Sequence, residues 1–143
     1  MASFVKYNCF VENLAEKVHN LGADTLKIAL TNTAPDVAAH TVRADIGEIA
    51  AGNGYTSGGN AAAVTGSAQT GGVYKLTLGD PATWSASGGT IGPFRYAVLY
   101  NDTPTSPADP LIGYWDYGSS ITLQVGETFT VDLDQTNGVL TIT

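Results

Sequence analysis

The sequence predicts a mainly β fold: an antiparallel β-sandwich, jelly-roll-like, with one N-terminal α-helix, residues 1–143 forming a single domain. Three observations predict it. Apolar residues recur clearly at helical spacing once, between Phe10 and Leu21. From residue 61 onward, short strand-like runs alternate with turn residues at the spacing of a sandwich or barrel. Finally, "GPFRYAVLYND" (92–102) reads as a strand that is apolar on both faces. Strict alternation puts Phe94, Tyr96, Val98 and Tyr100 on one side, and Arg95, Ala97 and Leu99 on the other. A half-solvated strand alternates apolar with polar. This one must be covered twice: by an opposite sheet on one face, and by the N-terminal helix or a neighbouring subunit on the other.

The helix is expected over about 9–21, with Phe10, Val11, Leu14, Ala15, Val18 and Leu21 forming its stripe. Asn8 is placed to cap its start and Gly22 to stop it in a left-handed conformation. His19 falls in its last turn, where partial positive charge is favourable. "TLKIALT" (25–31) then alternates as a strand, and Ala34-Pro35-Asp36 breaks it. A short helix with Val42, Ile46 and Ile49 on one side is expected within 41–52, interrupted by Gly47. "GNGYTSGGN" (52–60) is a loop whose Asn53-Gly54 and Gly58-Gly59 pairs demand unusual backbone angles. Strands are expected at 61–67, 72–79, 93–100, 111–117, 120–125, 127–133 and 138–143, with Gly118 among the separators. The last two suggest a hairpin around Asn137-Gly138.

A chain of 143 residues buries about 68–70% of its unfolded surface, enough for a core without staples. Charged residues are 13%, about half the usual share, so the surface is built mostly of Gly, Thr, Ser, Asn and Ala. Such a surface suits packing against neighbours. Net charge is −7, and the six cations (Lys6, Lys17, Lys27, Arg43, Lys75, Arg95) are scattered. No basic stripe tracks a phosphate backbone, which argues against nucleic acid and, by the same sign, against an anionic membrane. Cys9 is the single cysteine, so no intrachain disulfide forms. The N-terminus lacks the apolar core of a signal peptide, and Asn101-Asp102-Thr103 is therefore read as a chance match to a glycosylation acceptor.

Few residues could carry chemistry. The 52–60 loop lacks the Lys-Ser/Thr of a phosphate cradle, and its functional alternative is contact with another subunit. His19, His40 and Cys9 match no metal spacing; Cys9, beside the apolar stripe, reads as structural. Asp132 and Asp134 resemble the opening of a calcium loop without its closing Glu. Asp116 in "GYWDYG" sits between aromatics. It is either an acid with a raised pKa or, more simply, the buried ion-pair partner of Arg95. Trp84, Trp115 and the tyrosines could form a sugar platform, though aromatics in sandwiches are more often core or interface. No catalytic set and no cofactor site emerges.

Four stretches are distinctive in combination: "LKIALTNTAP", "ADIGEIAAGNGYTSGG", "GPFRYAVLYND" and "PLIGYWDYGSSITLQVGETFTVDL". Together they resemble a family of small virion proteins of tailed bacteriophages. The resemblance covers nearly the whole chain and carries no active-site residues. It implies a structural, non-enzymatic role in the virion, assembled in the bacterial host cytoplasm. The place implied is capsid decoration (cement) beside the major capsid protein, with copies of itself as further partners. A tail- or neck-associated or glycan-binding module is the rival. The contact residues expected from the loops are Asn53, Gly54, Tyr55, Asp102, Thr103 and Pro104.

Overall fold

The computed structural model describes residues 2–143. Its elements are β1 (Phe4–Lys6), α1 (Asn8–Ala15), β2 (Leu26–Thr31), β3 (Asn60–Ala61), β4 (Val64–Thr70), β5 (Val73–Leu78), β6 (Trp84–Ser85), β7 (Ile91–Asn101), β8 (Leu111–Leu123), β9 (Thr128–Phe129) and β10 (Leu140–Ile142). The fold is mainly β with one N-terminal helix, as the sequence predicts. Strands pair antiparallel in a five-stranded sheet ordered β1-β8-β7-β2-β3, a three-stranded sheet β10-β5-β4 and a two-stranded sheet β6-β9. One core joins these layers. Leu26, Ile28 and Leu30 of β2, Phe94 and Leu99 of β7, and Ile112 of β8 pack with Leu76 and Leu78 of β5 and Trp84 of β6. The jelly-roll comparison reaches no further than this layered arrangement.

The doubly apolar strand is covered twice by its own chain. Ala29, Val98, Tyr100 and Leu111 form a second buried cluster on the other face of the large sheet, with Tyr7 and Ile46 over them and Val37 and Cys9 alongside. The cover is thus the start of α1 together with irregular chain from 37 to 46, rather than the helix stripe or a neighbour. The faces also differ from strict alternation. Phe94 belongs with Ala97 and Leu99, not with Val98 and Tyr100. The β7–β8 register shifts between Phe94 and Tyr96, and such a bulge flips the side-chain parity.

Several boundaries move for identifiable reasons. α1 stops at Ala15, well short of residue 21. Lys17, at φ 69°, takes the left-handed position expected of Gly22. The Val18 and Lys17 N–H groups donate to the Asn13 and Leu14 carbonyls at 2.8 and 3.4 Å, which is the Schellman pattern. Asn8 does not cap the helix. Tyr7 is the N-cap residue, without a side-chain bond, and the Asn8 N–H donates to the Val37 carbonyl at 3.0 Å. Phe10 and Leu21 are buried, while Val11, 53% exposed, is not part of the packed face. His19 lies beyond the helix and is buried. The expected helix in 41–52 shrinks to one 3-10 turn at Arg43–Asp45.

Gly118 does not end a strand. At φ 101° it lets β8 run on from 111 to 123 while residues 117–120 bulge out of the ladder. The expected C-terminal hairpin is absent: β10 pairs with β5, and 127–133 contributes only β9, paired with β6. The Asn137 turn is instead held by the Asp134 carboxylate, which accepts from the Thr136 and Asn137 N–H groups at 2.8 Å each. β1 and β6 are too short to have registered in the periodicity.

Burial sets the expected mutational response of α1. Phe10→Ala should destabilise the protein by about 3–5 kcal/mol. Val11→Ala, at an exposed position, should change stability by less than about 0.5 kcal/mol. Denaturant melts of the two variants measure both; equal losses would mean that α1 does not pack as described.

Candidate functional site

The polar groups that matter join irregular chain to the strands, and they organise around two hubs. The first is Glu48, whose side chain is largely buried. Its Oε1 accepts from Arg43 at 2.8 Å, and its Oε2 accepts from the Tyr55 hydroxyl at 2.7 Å and the Gly58 N–H at 2.6 Å. The Tyr55 hydroxyl in turn accepts from the Leu30 N–H of β2 at 3.0 Å. Tyr100 of β7 donates to the Gly58 carbonyl at 2.6 Å. Arg43 lies 5.6 Å over the Tyr100 ring, and its Nε bonds Asp109 at 3.3 Å. One ion cluster therefore ties 43–48, 55–58 and 109 to the central strands. Burial pushes the Tyr55 and Tyr100 hydroxyls well above their ordinary pKa, so both stay protonated donors.

The second hub is Asn101, fully buried at the end of β7. Its amide donates to Asp24 at 2.7 Å and meets His19 Nδ1 at 3.1 Å, while its carbonyl accepts from the Thr103 N–H at 3.1 Å. With Asn101 donating, His19 Nδ1 is the acceptor and the ring is neutral. Burial lowers its pKa to about 4, Asp24 opposing the shift. This replaces the charged, helix-terminal role the sequence suggested. The loop after Asn101 is tied down as well. The Asp102 N–H bonds the Thr25 carbonyl at 2.8 Å, Thr103 Oγ1 accepts from the Thr25 N–H at 2.8 Å, and Lys27 pairs with Asp102 at 3.2 Å.

The expected contact residues separate into two places. Asn53 is exposed and its amide bonds the Thr90 carbonyl at 3.0 Å, just before β7 begins. Gly54 packs against the Ser85 carbonyl. Asp102 and Thr103 are exposed and Pro104 half-buried just after β7 ends. Eleven strand residues lie between, so the two groups sit roughly 30 Å apart. Tyr55 cannot be a contact. It is 2% exposed, because its hydroxyl serves Glu48 and Leu30. The exposed positions that do lie together are Ser57 and the 105–109 loop, joined through Arg43.

Arg95 and Asp116 form a bidentate pair at 2.7 and 3.0 Å. The pair is at the surface, with side chains 38% and 41% exposed, not buried as expected. The Arg95 guanidinium, helped by the Gly118 N–H, holds Asp116 below the usual carboxylate range, the reverse of what a catalytic acid at neutral pH requires. Beside the pair lies a cleft of about 570 Å³ lined by Phe4, Phe94, Trp115, Tyr117 and Phe129. Trp84 is not available as a platform. It is buried and stacks on Tyr55 at 6.4 Å. Burial raises the pKa of the Cys9 thiol, the direction opposite to that of an activated cysteine. Among the described residues no group of three or more His, Cys, Asp and Glu could hold a metal, and no helix is long and apolar enough to cross a membrane.

Neither hub was singled out from the sequence. Glu48 had one signal: a carboxylate set between the apolar Ile46 and Ile49. Asn101 had none beyond its position in a polar loop. No family model, curated protein or solved structure matches the chain.

Glu48→Ala should leave the Tyr55 hydroxyl and the Gly58 N–H without their acceptor while Arg43 keeps Asp109, costing about 2–3 kcal/mol in denaturant melts. Glu48→Gln should lose less, because it still accepts from both. The pH dependence has a definite sign. A histidine whose folded pKa lies below its unfolded value of 6.5 stabilises the fold while neutral. Stability should therefore fall as pH drops from about 6.5 towards 4, by about 3 kcal/mol in total. Carboxylates held low, such as Asp45, Asp116 and Asp134, add losses only as pH falls below their ordinary range. Melts of His19→Gln at pH 7 and pH 4.5 should differ by much less than those of the parent protein; an equal difference would remove His19 as the cause.

Proposed function

We propose that this chain is a non-enzymatic structural protein of a tailed-bacteriophage virion, a capsid decoration (cement) protein that binds the major capsid protein and copies of itself. One observation carries the reading furthest. The 103–109 loop, exposed at Thr103 and over 105–108, and the exposed Ser57 are held in place before any partner arrives by Arg43, Asp109 and the Asn101 hub. A surface ordered in advance loses little entropy on docking. On a lattice, each contact can be weak because many copies bind together. The resemblance of four stretches to small phage virion proteins supports the same reading. The net charge of −7 suits basic patches on a capsid exterior and adds a salt-sensitive term.

A second reading, a tail- or neck-associated glycan-binding module, is favoured by the cleft. Tyr117, 57% exposed, and the half-buried Trp115 offer ring faces beside the polar Arg95–Asp116 pair. Copy number separates the two. A decoration protein is present in near-stoichiometric ratio to the capsid protein on gels of purified particles, whereas a tail module is present in far fewer copies.

The surface test uses the loop tip. The double variant Thr105→Arg, Ala108→Arg changes exposed side chains only, so its melting temperature should match that of the parent protein. It should nevertheless be lost from particles, and those particles should break at lower temperature. Particles that lack the protein altogether yet resist heat equally well would end the cement reading.

A further inference from the structure

The two long sides of the sandwich are not alike. On one, β3 passes directly into β4 through Ala62 and Ala63, so the chain itself closes the gap between layers. On the other, β1 ends the five-stranded sheet, and the stretch from Phe129 to Val139 faces it across the aromatic cleft. Both borders of this side are unpaired. β1 pairs only with β8, and among the described residues no main-chain hydrogen bond involves Thr130, Val131 or Asp132.

The hydrogen bonding of β1 shows which groups it offers. The Tyr7 N–H donates to the Ile112 carbonyl at 3.0 Å. Alternation along an antiparallel strand then turns the main chain of Val5 towards β8, and the N–H and C=O groups of Phe4 and Lys6 outwards. Val5 is 40% exposed, and Lys6 is exposed with no carboxylate paired to it among the described residues. Phe4 and Lys6 share the cleft face of the strand, since Phe4 lines the cleft and alternates with Val5. On the cleft's far wall Asp132 is exposed and, among the described residues, likewise unpaired.

We propose that the β1 edge is the interface between two copies of this chain, the two β1 strands pairing antiparallel about a two-fold axis at Val5. This rests on the self-association included in the particle reading, and it names the surface. In this register Phe4 exchanges two main-chain hydrogen bonds with Lys6 of the second copy, and Lys6 exchanges two with its Phe4. The two Val5 side chains face each other, and two five-stranded sheets become one. Lys6 of the second copy comes to lie beside Phe4 at the mouth of the cleft, opposite the wall that carries Asp132. An acidic protein thereby brings one of its few unpaired cations to a carboxylate of its twin, which offsets self-repulsion and fixes the register. The contact is isologous, so the pair closes on itself.

A three-residue edge bearing a lysine is also how sheets repel stray strands. Two features point to pairing instead. The edge borders an open aromatic cleft rather than a finished core, and the lysine has a matching carboxylate across that cleft. A standard interface needs about 800 Å² from each partner, more than β1 alone provides. Tyr117 at the cleft lip, more than half exposed, supplies apolar surface for the contact to extend over.

Sedimentation of the full chain from low to high micromolar concentration tests this. The parent protein should be a dimer. Val5→Asp sets two carboxylates face to face and should give a monomer that still unfolds in one cooperative transition. Should that variant fail to fold, Lys6→Pro removes an outward N–H that the protomer does not use and should also give a monomer. Lys6→Glu and Asp132→Lys should each weaken the dimer about tenfold, and the double charge swap should recover most of the loss. A parent protein that is monomeric throughout, a trimer, a dimer untouched by Val5→Asp, or a double swap no better than the single variants would each overturn the proposal. The particle assay reads separately. A monomer that still decorates particles removes the dimer and leaves the particle reading, and a dimer absent from particles does the reverse.

Discussion

A strand with apolar side chains on both faces has no stable place at a surface, and the architecture follows from meeting that constraint at β7. Phe94, Ala97 and Leu99 face the smaller sheets, while Val98 and Tyr100 face the other way. The first face is covered by regular structure, which satisfies its own main-chain groups. The second is covered by irregular chain, Tyr7 and the stretch from Val37 to Ile46, which does not. Burying irregular chain requires polar partners for its N–H and C=O groups.

Asp36, Asp45 and Thr31 supply those partners within the cover, bonding the main chain of residues 38, 39, 41, 42, 46 and 47, and Glu48 and Asn101 do so for the loops beside it. Each of the latter two is a short polar side chain with several hydrogen-bonding positions, placed where loop and central strand meet. Glu48 gathers Arg43, Tyr55 and Gly58, and Asn101 gathers His19, Asp24 and Thr103. The consequence reaches beyond stability. Loops bonded to the core at several points present their tips in one geometry, which a repeated contact on a lattice needs. The same bonding withdraws Tyr55 from the surface, although its position in a glycine-rich loop suggests exposure.

The covering is uneven. Where β3 turns into β4 the layers are sewn together by two alanines, whereas along β1 the layers part around Phe4 and Trp115. Gly113 contributes to this edge, because a Cβ there would overlap the Phe4 ring, which needs that space to lie across β8. On this open side Phe94 is buried, Phe4, Trp115 and Phe129 are half-buried against the core, and Tyr117 is exposed. The outward main-chain groups of β1 beside this cleft are the surface on which the proposed pairing of two copies rests.

The sequence by itself determined the class of the fold and the places of most strands, because those rest on local signals. Period-two alternation marks β2 and β5, an apolar run marks β7, and turn residues such as Gly71-Gly72 and Asp80-Pro81 separate the strands. It also determined that one strand needed covering twice and that α1 begins near residue 8, since Phe10 and Leu14 carry the first turns of the stripe. It did not show where α1 stops, because the Schellman turn accepted Lys17 at a position where glycine is the usual signal. Only tertiary structure decided which strand pairs with which. Asn137-Gly138 looks like a hairpin locally, but Leu140 finds Leu76, more than sixty positions away, because β5 offers it a free edge over the core. Tertiary structure likewise decided the bulge that moves Phe94 across the strand, the surface placement of Arg95 with Asp116, and the burial of Glu48. These depend on what lies opposite a residue in space. Hydrophobic period and turn chemistry report only on what lies beside it in the chain.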